Sequence, residues 1–162
     1  MNTKPSSTAT GQLFIDTDGK LFTKPSGGGS GGAVNDVQIN GIPVLSLAHV
    51  GDAVYEILVR TWLCTHGRVT SKGLHKETVR FVAAPAQAKA MEKLLPLLSE
   101  AETNIYRRGR NTRVNSVPQH ANIQEYHTAT GLESLFGWLW LRGDTARIEE
   151  LFAKIMEEED AS

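Results

Sequence analysis

From Ile42 onward, apolar residues in this chain recur at spacings of three and four positions. This spacing places apolar side chains on one face of an α-helix. Residues that favour helix boundaries punctuate the pattern, such as Ser99 before one segment and Gly143 after another. No convincing strand pattern follows residue 36, so we predict an all-α domain. The first predicted helices cover residues 45–64, a short segment between Thr70 and Pro85, and residues 86–98 with a kink at Pro96. A further helix runs from Ser99 into an arginine cluster and is followed by a loop over residues 111–121. The last two predicted helices cover residues 125–142 and 145–159.

An acidic residue interrupts an apolar stretch in each of the two longest predicted helices. Asp52 follows Gly51 within residues 47–56, and Glu133 lies within residues 130–139. Removing a carboxylate from water is costly unless a cation or hydrogen bonds compensate. We therefore expect both acids to be buried with a cationic partner, and the two helices could bring both carboxylates onto one divalent metal ion. The alternative is structural, because either acid could pair with a buried arginine or cap a neighbouring helix.

Both acidic segments resemble signature helices of the ribonuclease III family. Gly51-Asp52-Ala53-Val54, followed by Glu56, is similar to the Gly-Asp-Ala core of the family signature. Residues 132–137, Leu-Glu-Ser-Leu-Phe-Gly, resemble the second acidic helix of that family, where Glu-Ala-Leu-hydrophobic-Gly is usual. The spacing between the two segments also fits the family.

The resemblance is strongest to a short subgroup, Mini-ribonuclease III. Its first helix typically has Ala-aromatic-hydrophobic-Gly-Asp-Ala, which residues 48–53 nearly match, with His49 at the aromatic position. Leu74-His75-Lys76 and Arg108-Gly109-Arg110-Asn111 are similar to two further motifs of the subgroup. Each motif alone is weak. Four motifs in the family order, within residues 40–156, make a strong signal.

Two carboxylates that are usual in ribonuclease III are replaced in this chain. Ala48 stands four residues before Asp52, where the family usually has Glu, and Thr130 stands three residues before Glu133, where the family usually has Asp. Mini-ribonuclease III generally shares both replacements, so they support the subgroup. They also imply that water or Thr130 completes the coordination of a magnesium ion, which requires near-octahedral oxygen ligands.

The resemblance implies a ribonuclease III-like helical endonuclease domain that hydrolyses double-stranded RNA. Asp52 and Glu133 are then the expected catalytic residues and the ligands of Mg²⁺, or of Mn²⁺ in its place. Members of the family act as homodimers in which each active site cuts one strand. The subgroup is associated with maturation of large-subunit (23S) ribosomal RNA, so precursor ribosomal RNA is the expected partner. For Glu56 we expect a salt bridge with a residue such as Arg60 or Lys76 rather than metal ligation.

The net charge is −1, so a nucleic-acid surface requires a local concentration of positive charge. Such a concentration exists between the two acidic helices, where the subgroup has a basic loop, while the C-terminal end is rich in Glu. An arginine run is otherwise more often a solvated surface. The expected RNA-binding residues are Arg107, Arg108, Arg110, Asn111 and Arg113, with a second, weaker set of Lys72, His75, Lys76 and Arg80.

The single cysteine, Cys64, excludes an internal disulfide and a cysteine-based zinc site, and it fits a reducing compartment. We expect its side chain in the core. No apolar run approaches the roughly 20 residues required to span a bilayer, and the N-terminus has no cleavable hydrophobic signal. We therefore expect a cytoplasmic protein with no membrane partner.

Residues 1–36 differ in composition from the rest of the chain. Residues 26–32 consist of Gly and Ser, as in a flexible linker. Asp18-Gly19 separates two short apolar stretches and is a hairpin signal, although two strands alone are marginally stable in water. We expect residues 1–36 to be a weakly ordered extension with a hairpin over residues 12–23, and residues 37–162 to be the catalytic domain.

Two other functions remain open from the sequence. The missing acids at Ala48 and Thr130 allow a non-catalytic RNA-binding protein with a ribonuclease III-like fold. The second alternative is a helical interaction domain. In that case Asp52 and Glu133 are structural and the arginines are surface residues. Magnesium-dependent cleavage distinguishes an enzyme from both, and salt-dependent duplex binding distinguishes the two from each other.

Overall fold

A computed structural model of the protein describes residues 13–15, 21–23, 36–66 and 70–160. Between residues 36 and 160 the regular elements in these ranges are helices, which confirms the all-α prediction. The helices are α1 (Asp36–Asn40), α2 (Val44–His66), α3 (Leu74–Val82), α4 (Ala84–Leu94), α5 (Glu100–Asn111), α6 (Ile123–Leu141) and α7 (Thr145–Asp160), with a 3₁₀ turn at Leu95–Leu97.

Two short strands precede the helices. Strands β1 (Leu13–Ile15) and β2 (Leu21–Thr23) pair antiparallel, with Phe14 opposite Phe22, and β2 lies beside α7. The predicted turn at Asp18-Gly19 and the Gly/Ser-rich stretch lie outside the described residues. The division of the chain near residue 36 therefore stays a prediction.

Local sequence signals account for several helix boundaries. The hydroxyl of Ser99 accepts a hydrogen bond from the backbone nitrogen of Glu102, whose carboxylate in turn accepts one from the nitrogen of Ser99, at 3.2 and 2.8 Å. This reciprocal pair satisfies two backbone donors at the start of α5. Helix α4 ends at Leu94, earlier than predicted, and the 3₁₀ turn follows. Pro96 lies in that turn and has no backbone N–H to continue an α-helix.

Helix α6 lies at the centre of the fold and packs against α2, α4, α5 and α7. Leu132, Leu135 and Phe136 on this helix are fully buried. Because neighbours surround it, α6 is apolar on most of its circumference.

The expectation that Cys64 lies in the core is wrong: its side chain is exposed, and the adjacent Leu63 occupies the buried position on α2.

A buried ion pair joins α5 to α7. Arg147 donates from Nε and Nη2 to the two carboxylate oxygens of Glu102, at 2.9 and 3.0 Å. The second of these nitrogens also donates to the carbonyl oxygen of Leu97, at 2.8 Å. Glu102 is only 5% exposed, so this two-pronged contact compensates a carboxylate that has lost its water.

Among the described helices, none is long and apolar enough to cross a membrane.

Candidate active site

Helices α2 and α6 cross in backbone contact at Gly51 and Gly137. A Cβ atom on Gly51 would overlap the carbonyl group of Glu133 and would lie 2.8 Å from the backbone nitrogen of Gly137. A Cβ atom on Gly137 would overlap the carbonyl oxygen of Leu47 and would lie 2.9 Å from the nitrogen of Gly51. Both positions therefore require glycine, and the missing side chains allow the two helices to touch.

Asp52 and Glu133 meet at this crossing. Asp52 directly follows Gly51, and Glu133 lies one helical turn before Gly137. The two carboxylates are close enough for the negative charge of Asp52 to raise the pKa of Glu133. The structure thus brings together the two acids singled out in the sequence, although they are far apart along the chain.

The two acids differ in their exposure to solvent, and the expectation that Asp52 is buried is wrong. Gly51 takes the buried position at the crossing, and the next residue on a helix is rotated by about 100°. That rotation turns Asp52 outward, where it is exposed. Water can solvate its charge, so Asp52 does not require a buried cation. Glu133 is partly buried between α2 and α4.

The electrostatic surroundings of the pair disfavour two negative charges. Burial is the main cause that raises the pKa of Glu133 to about 7, repulsion by Asp52 adds to it, and the side chain of Gln87 acts in the opposite direction. Although Asp52 is exposed, partial loss of hydration beside α6 and then repulsion by Glu56 raise its pKa, while His49 opposes them. Two repelling carboxylates at one site favour a shared proton or a bound cation.

The donor set fits a hard divalent cation. Carboxylate and water oxygens are the ligands that Mg²⁺ prefers, and the ion readily keeps several waters. Within the described ranges, no group of three or more His, Cys, Asp and Glu side chains is placed to surround one ion. A cation between Asp52 and Glu133 would therefore complete its coordination mainly with water.

The side chain of Thr130 is engaged within α6. Its hydroxyl donates to the carbonyl oxygen of Tyr126 at 3.0 Å, and its own carbonyl accepts from the hydroxyl of Ser134 at 2.7 Å. Thr130 is only 6% exposed. Of the two sources of further ligands predicted from the sequence, water and Thr130, this arrangement favours water.

Glu56 forms the salt bridge predicted for it. Its Oε1 lies 3.5 Å from Nη2 of Arg60, one turn further along α2, and both side chains are exposed. The charge of Glu56 nevertheless acts on Asp52. This acid therefore contributes negative potential beside the site while its own carboxylate pairs with an arginine.

Gln87 on α4 is a residue of this site that sequence reasoning missed. It is 1% exposed, and its side chain reaches Glu133. Its backbone position belongs to the buried face of a helix whose other buried residues are Ala90, Met91 and Leu94. A lone polar residue on the apolar face of an amphipathic helix is a signal that the sequence does contain.

The main basic set lies at the end of α5. Arg107, Arg108 and Arg110 are exposed on its last turns, and Arg113 is exposed just beyond it. The expectation of a basic loop is thus only partly right, because most of these arginines are helical. A hollow of about 490 Å³ opens beside them, and it is lined by Arg110, Asn111, Thr112, Arg113, Gln124 and His127.

Close packing fixes this basic end of α5 against α6. A Cβ atom on Gly109 would meet the side chain of Ser134, and one on Gly131 would lie 2.6 Å from the ring of Tyr106. Ser134 directly follows Glu133 in the chain. The arginines therefore project from a helix that is held against the helix carrying Glu133.

The second basic set is less available than the first. Lys72, His75 and Lys76 are exposed. Arg80, however, lies 3.0 Å from Glu77 and 3.4 Å from Glu159, near the C-terminal end of α7. The acidic end of α7 therefore compensates the charge of Arg80, a long-range pairing that the sequence pattern does not reveal.

Comparisons with known proteins place this chain in a family. The family profile of the ribonuclease III domain matches residues 45–144, a span that includes both acids. A curated Mini-ribonuclease 3 of Thermoanaerobacter sp. (strain X514) is 43% identical over 117 residues, covering 70% of this chain and 82% of the relative. The Mini-ribonuclease 3 of Synechocystis sp. is 39% identical over 118 residues, covering 72% and 80%.

A solved structure agrees with the fold. The crystal structure of a protein from Fusobacterium nucleatum superposes with a TM-score of 0.68 at 26% sequence identity. The superposition covers 75% of this chain and 97% of that protein. The helical arrangement described above therefore has a counterpart in an experimental structure.

Proposed function

Because this chain belongs to the ribonuclease III family, in its Mini-ribonuclease 3 group, and is an endoribonuclease, we propose that it hydrolyses double-stranded RNA with Mg²⁺ held by Asp52 and Glu133. The observation that carries this proposal is the meeting of the two carboxylates at the contact between Gly51 and Gly137. One acid comes from each of two rigid helices, which limits misplacement of an ion between them. Mn²⁺ offers the same charge and oxygen preference and is the natural substitute.

A divalent cation at such a site lowers the pKa of a coordinated water and neutralises charge on the phosphate oxygens. The residues of the chain supply position and access. Asp52 is exposed, so a phosphodiester can approach from solvent, whereas Glu133 is partly buried, with the side chain of Gln87 on α4 beside it. Both carboxylates are anchored on helices whose backbones touch at Gly51 and Gly137.

Recognition of a duplex depends on phosphates and 2′-hydroxyls, because the major groove of A-form RNA is too deep and narrow to be read. The exposed arginines at the end of α5 and the adjacent polar hollow supply hydrogen-bond donors of this kind. We assign duplex binding mainly to Arg107, Arg108, Arg110, Asn111 and Arg113. Lys72, His75 and Lys76 form the weaker second set, and the ion-paired Arg80 contributes least.

A duplex has two strands, and this chain offers one acidic pair. We therefore propose a homodimer in which each site cuts one strand. Membership of the Mini-ribonuclease 3 group supports precursor 23S ribosomal RNA as the substrate and the cytoplasm as the location. A transcript that contains the 23S precursor ends should then be cut at a few defined positions in its paired regions, whereas the mature form should not.

The deciding experiment incubates the protein with a long RNA duplex, with Mg²⁺ and with the ion removed by a chelator. We expect cleavage of the duplex with Mg²⁺ only, and little cleavage of either single strand. Asp52→Asn and Glu133→Gln should each abolish cleavage and leave duplex binding intact or tighter, because neutralising an acid reduces repulsion of phosphate. Glu56→Gln is the matched control, since it removes a neighbouring charge that is already paired with Arg60. Full magnesium-dependent activity of the Asp52→Asn protein would refute the assignment.

A further inference from the structure

Gln87 occupies a position where a polar side chain is unfavourable. It lies on the face of α4 that packs against α6, and it is 1% exposed. Other buried residues of this helix, Ala90, Met91 and Leu94, are apolar. Burying an amide without hydrogen bonds destabilises the folded state, so such a residue calls for a functional explanation.

The amide group of Gln87 points to its partner. Its Nε2 is buried and has no hydrogen-bond partner of good geometry among the described residues. The titratable group that this side chain influences is the carboxyl of Glu133, whose negative form it favours. An amide nitrogen only donates hydrogen bonds, and an ionised carboxylate only accepts them. The unsatisfied donor and the partly buried acceptor are therefore complementary.

We propose that Gln87 is a positioning residue, which donates a hydrogen bond from Nε2 to one carboxylate oxygen of Glu133 and thereby turns the other oxygen towards Asp52 and the metal ion. This inference rests on the proposed function. Asp52 and Glu133 repel each other when both are ionised, and a glutamate side chain has several rotatable bonds. A fixed donor on a third helix prevents Glu133 from turning away from Asp52. Groups that hold a metal ligand in this manner typically change metal affinity or activity by about 10–100-fold when they are removed.

The test replaces Gln87 by methionine, which has a similar length and shape but no amide. Binding of Mn²⁺ to the folded protein is followed by electron paramagnetic resonance. The signal of free Mn²⁺ decreases as the ion binds, so its intensity gives the concentration of free ion. We expect the dissociation constant for Mn²⁺ to rise by about 10–100-fold in Gln87→Met. The melting temperature without metal should change little, because loss of the hydrogen bond to Glu133 and removal of a buried amide act in opposite directions.

Kinetics provide a second measurement. At saturating RNA and a fixed, subsaturating Mg²⁺ concentration, the turnover of Gln87→Met should fall while KM for the duplex stays within about twofold, and added Mg²⁺ should recover part of the loss. The matched control is Met91→Leu, a volume-conserving change on the same buried face of α4. It should leave both Mn²⁺ affinity and turnover near those of the unchanged protein.

Unchanged Mn²⁺ affinity and turnover in a folded Gln87→Met protein would overturn the inference, as would equal losses in Met91→Leu. If Gln87→Met did not fold, Gln87→Leu would be measured against the same control. Failure of the proposed function has a different signature: the unchanged protein would then leave duplex RNA intact with Mg²⁺. The Mn²⁺ titration tests Gln87 in that case as well, because it requires no RNA.

Discussion

Gly51 and Gly137 face each other across the contact between α2 and α6, and neither position has space for a Cβ atom. The backbone of each helix fills the gap left by the missing side chain of the other. This contact determines how close Asp52 and Glu133 can come, because each acid lies within a turn of its glycine. The glycines that shape the fold and the acids of the site are therefore parts of one arrangement.

Substitution of Gly51 by alanine should destabilise the protein strongly. The added methyl group would overlap the backbone carbonyl of Glu133, which cannot move without displacing α6. We expect a loss of about 3 kcal/mol or more in the free energy of unfolding, measured by urea denaturation. Gly41→Ala is the control, since its Cβ would lie in ordinary contact, 3.5 Å from the carbonyl oxygen of Gln38. Equal stabilities of the two variants would show that the helices separate freely.

Stability of the metal-free protein should depend on pH through Glu133. Its pKa is about 7 in the folded protein and close to 4.5 in the unfolded chain. Between pH 4.5 and 7 the folded state holds a proton that the unfolded chain has lost, so the free energy of unfolding is highest below pH 4.5 and falls as the pH rises through 7. Glu133→Gln should match the unchanged protein near pH 4.5.

At pH 8 in the presence of a chelator, Glu133→Gln should be the more stable protein by about 2 kcal/mol, a value reduced from the full shift because the carboxyl is partly exposed. Thermal unfolding at the two pH values measures the difference. Mg²⁺ should stabilise only the unchanged protein at pH 8. A constant gap between the two proteins at both pH values would contradict the raised pKa.

The arginines of α5 should control the salt dependence of RNA binding. Replacing Arg107, Arg108, Arg110 and Arg113 by alanine should weaken duplex binding and lower the slope of log K against log salt by about 1 for each lost phosphate contact. Filter binding at several salt concentrations gives the slope. Arg80→Ala is the control, because Glu77 and Glu159 already compensate its charge. A folded quadruple variant with unchanged affinity and slope would exclude this surface.

The buried pair of Glu102 and Arg147 should contribute to stability rather than to catalysis. Burial alone would raise the pKa of Glu102, but hydrogen bonds from Arg147 and Ser99 outweigh it and hold the pKa below its usual range. Arg147→Ala leaves a buried carboxylate without its partner and should cost about 3 kcal/mol at pH 7. This loss should shrink as the pH falls and Glu102 takes up a proton. Lys154→Ala, on the exposed side of α7, should cost less than about 1 kcal/mol.

The state of assembly should match the two strands of a duplex. At micromolar concentration, light scattering should give twice the mass of one chain. The dimer should persist in Asp52→Asn, because that substitution removes a charge from an exposed position and leaves the core unchanged. A monomer that still produces double-strand cuts would refute the proposed arrangement of two sites.

Local signals in the sequence predict this fold best. Periodicity and capping residues act within a few positions of the chain. They account for the helices over residues 44–66 and 123–141 and for the start of α5 after Ser99. The choice of Asp52 and Glu133 as a pair also came from the sequence. The exposure of Asp52 and of Cys64 differs from the prediction, because periodicity alone does not say which residue of a helix meets its neighbour.

The sequence alone determined the type and order of the helices, the two acids and the position of the arginines along the chain, since each depends on neighbouring residues. The contacts of those residues follow from the packing of the helices. Three contacts join residues that are distant in the chain: Gln87 lies beside Glu133, Arg80 pairs with Glu159, and α2 touches α6. Such contacts depend on how whole helices pack, and packing is set by the complementary shapes of many side chains at once.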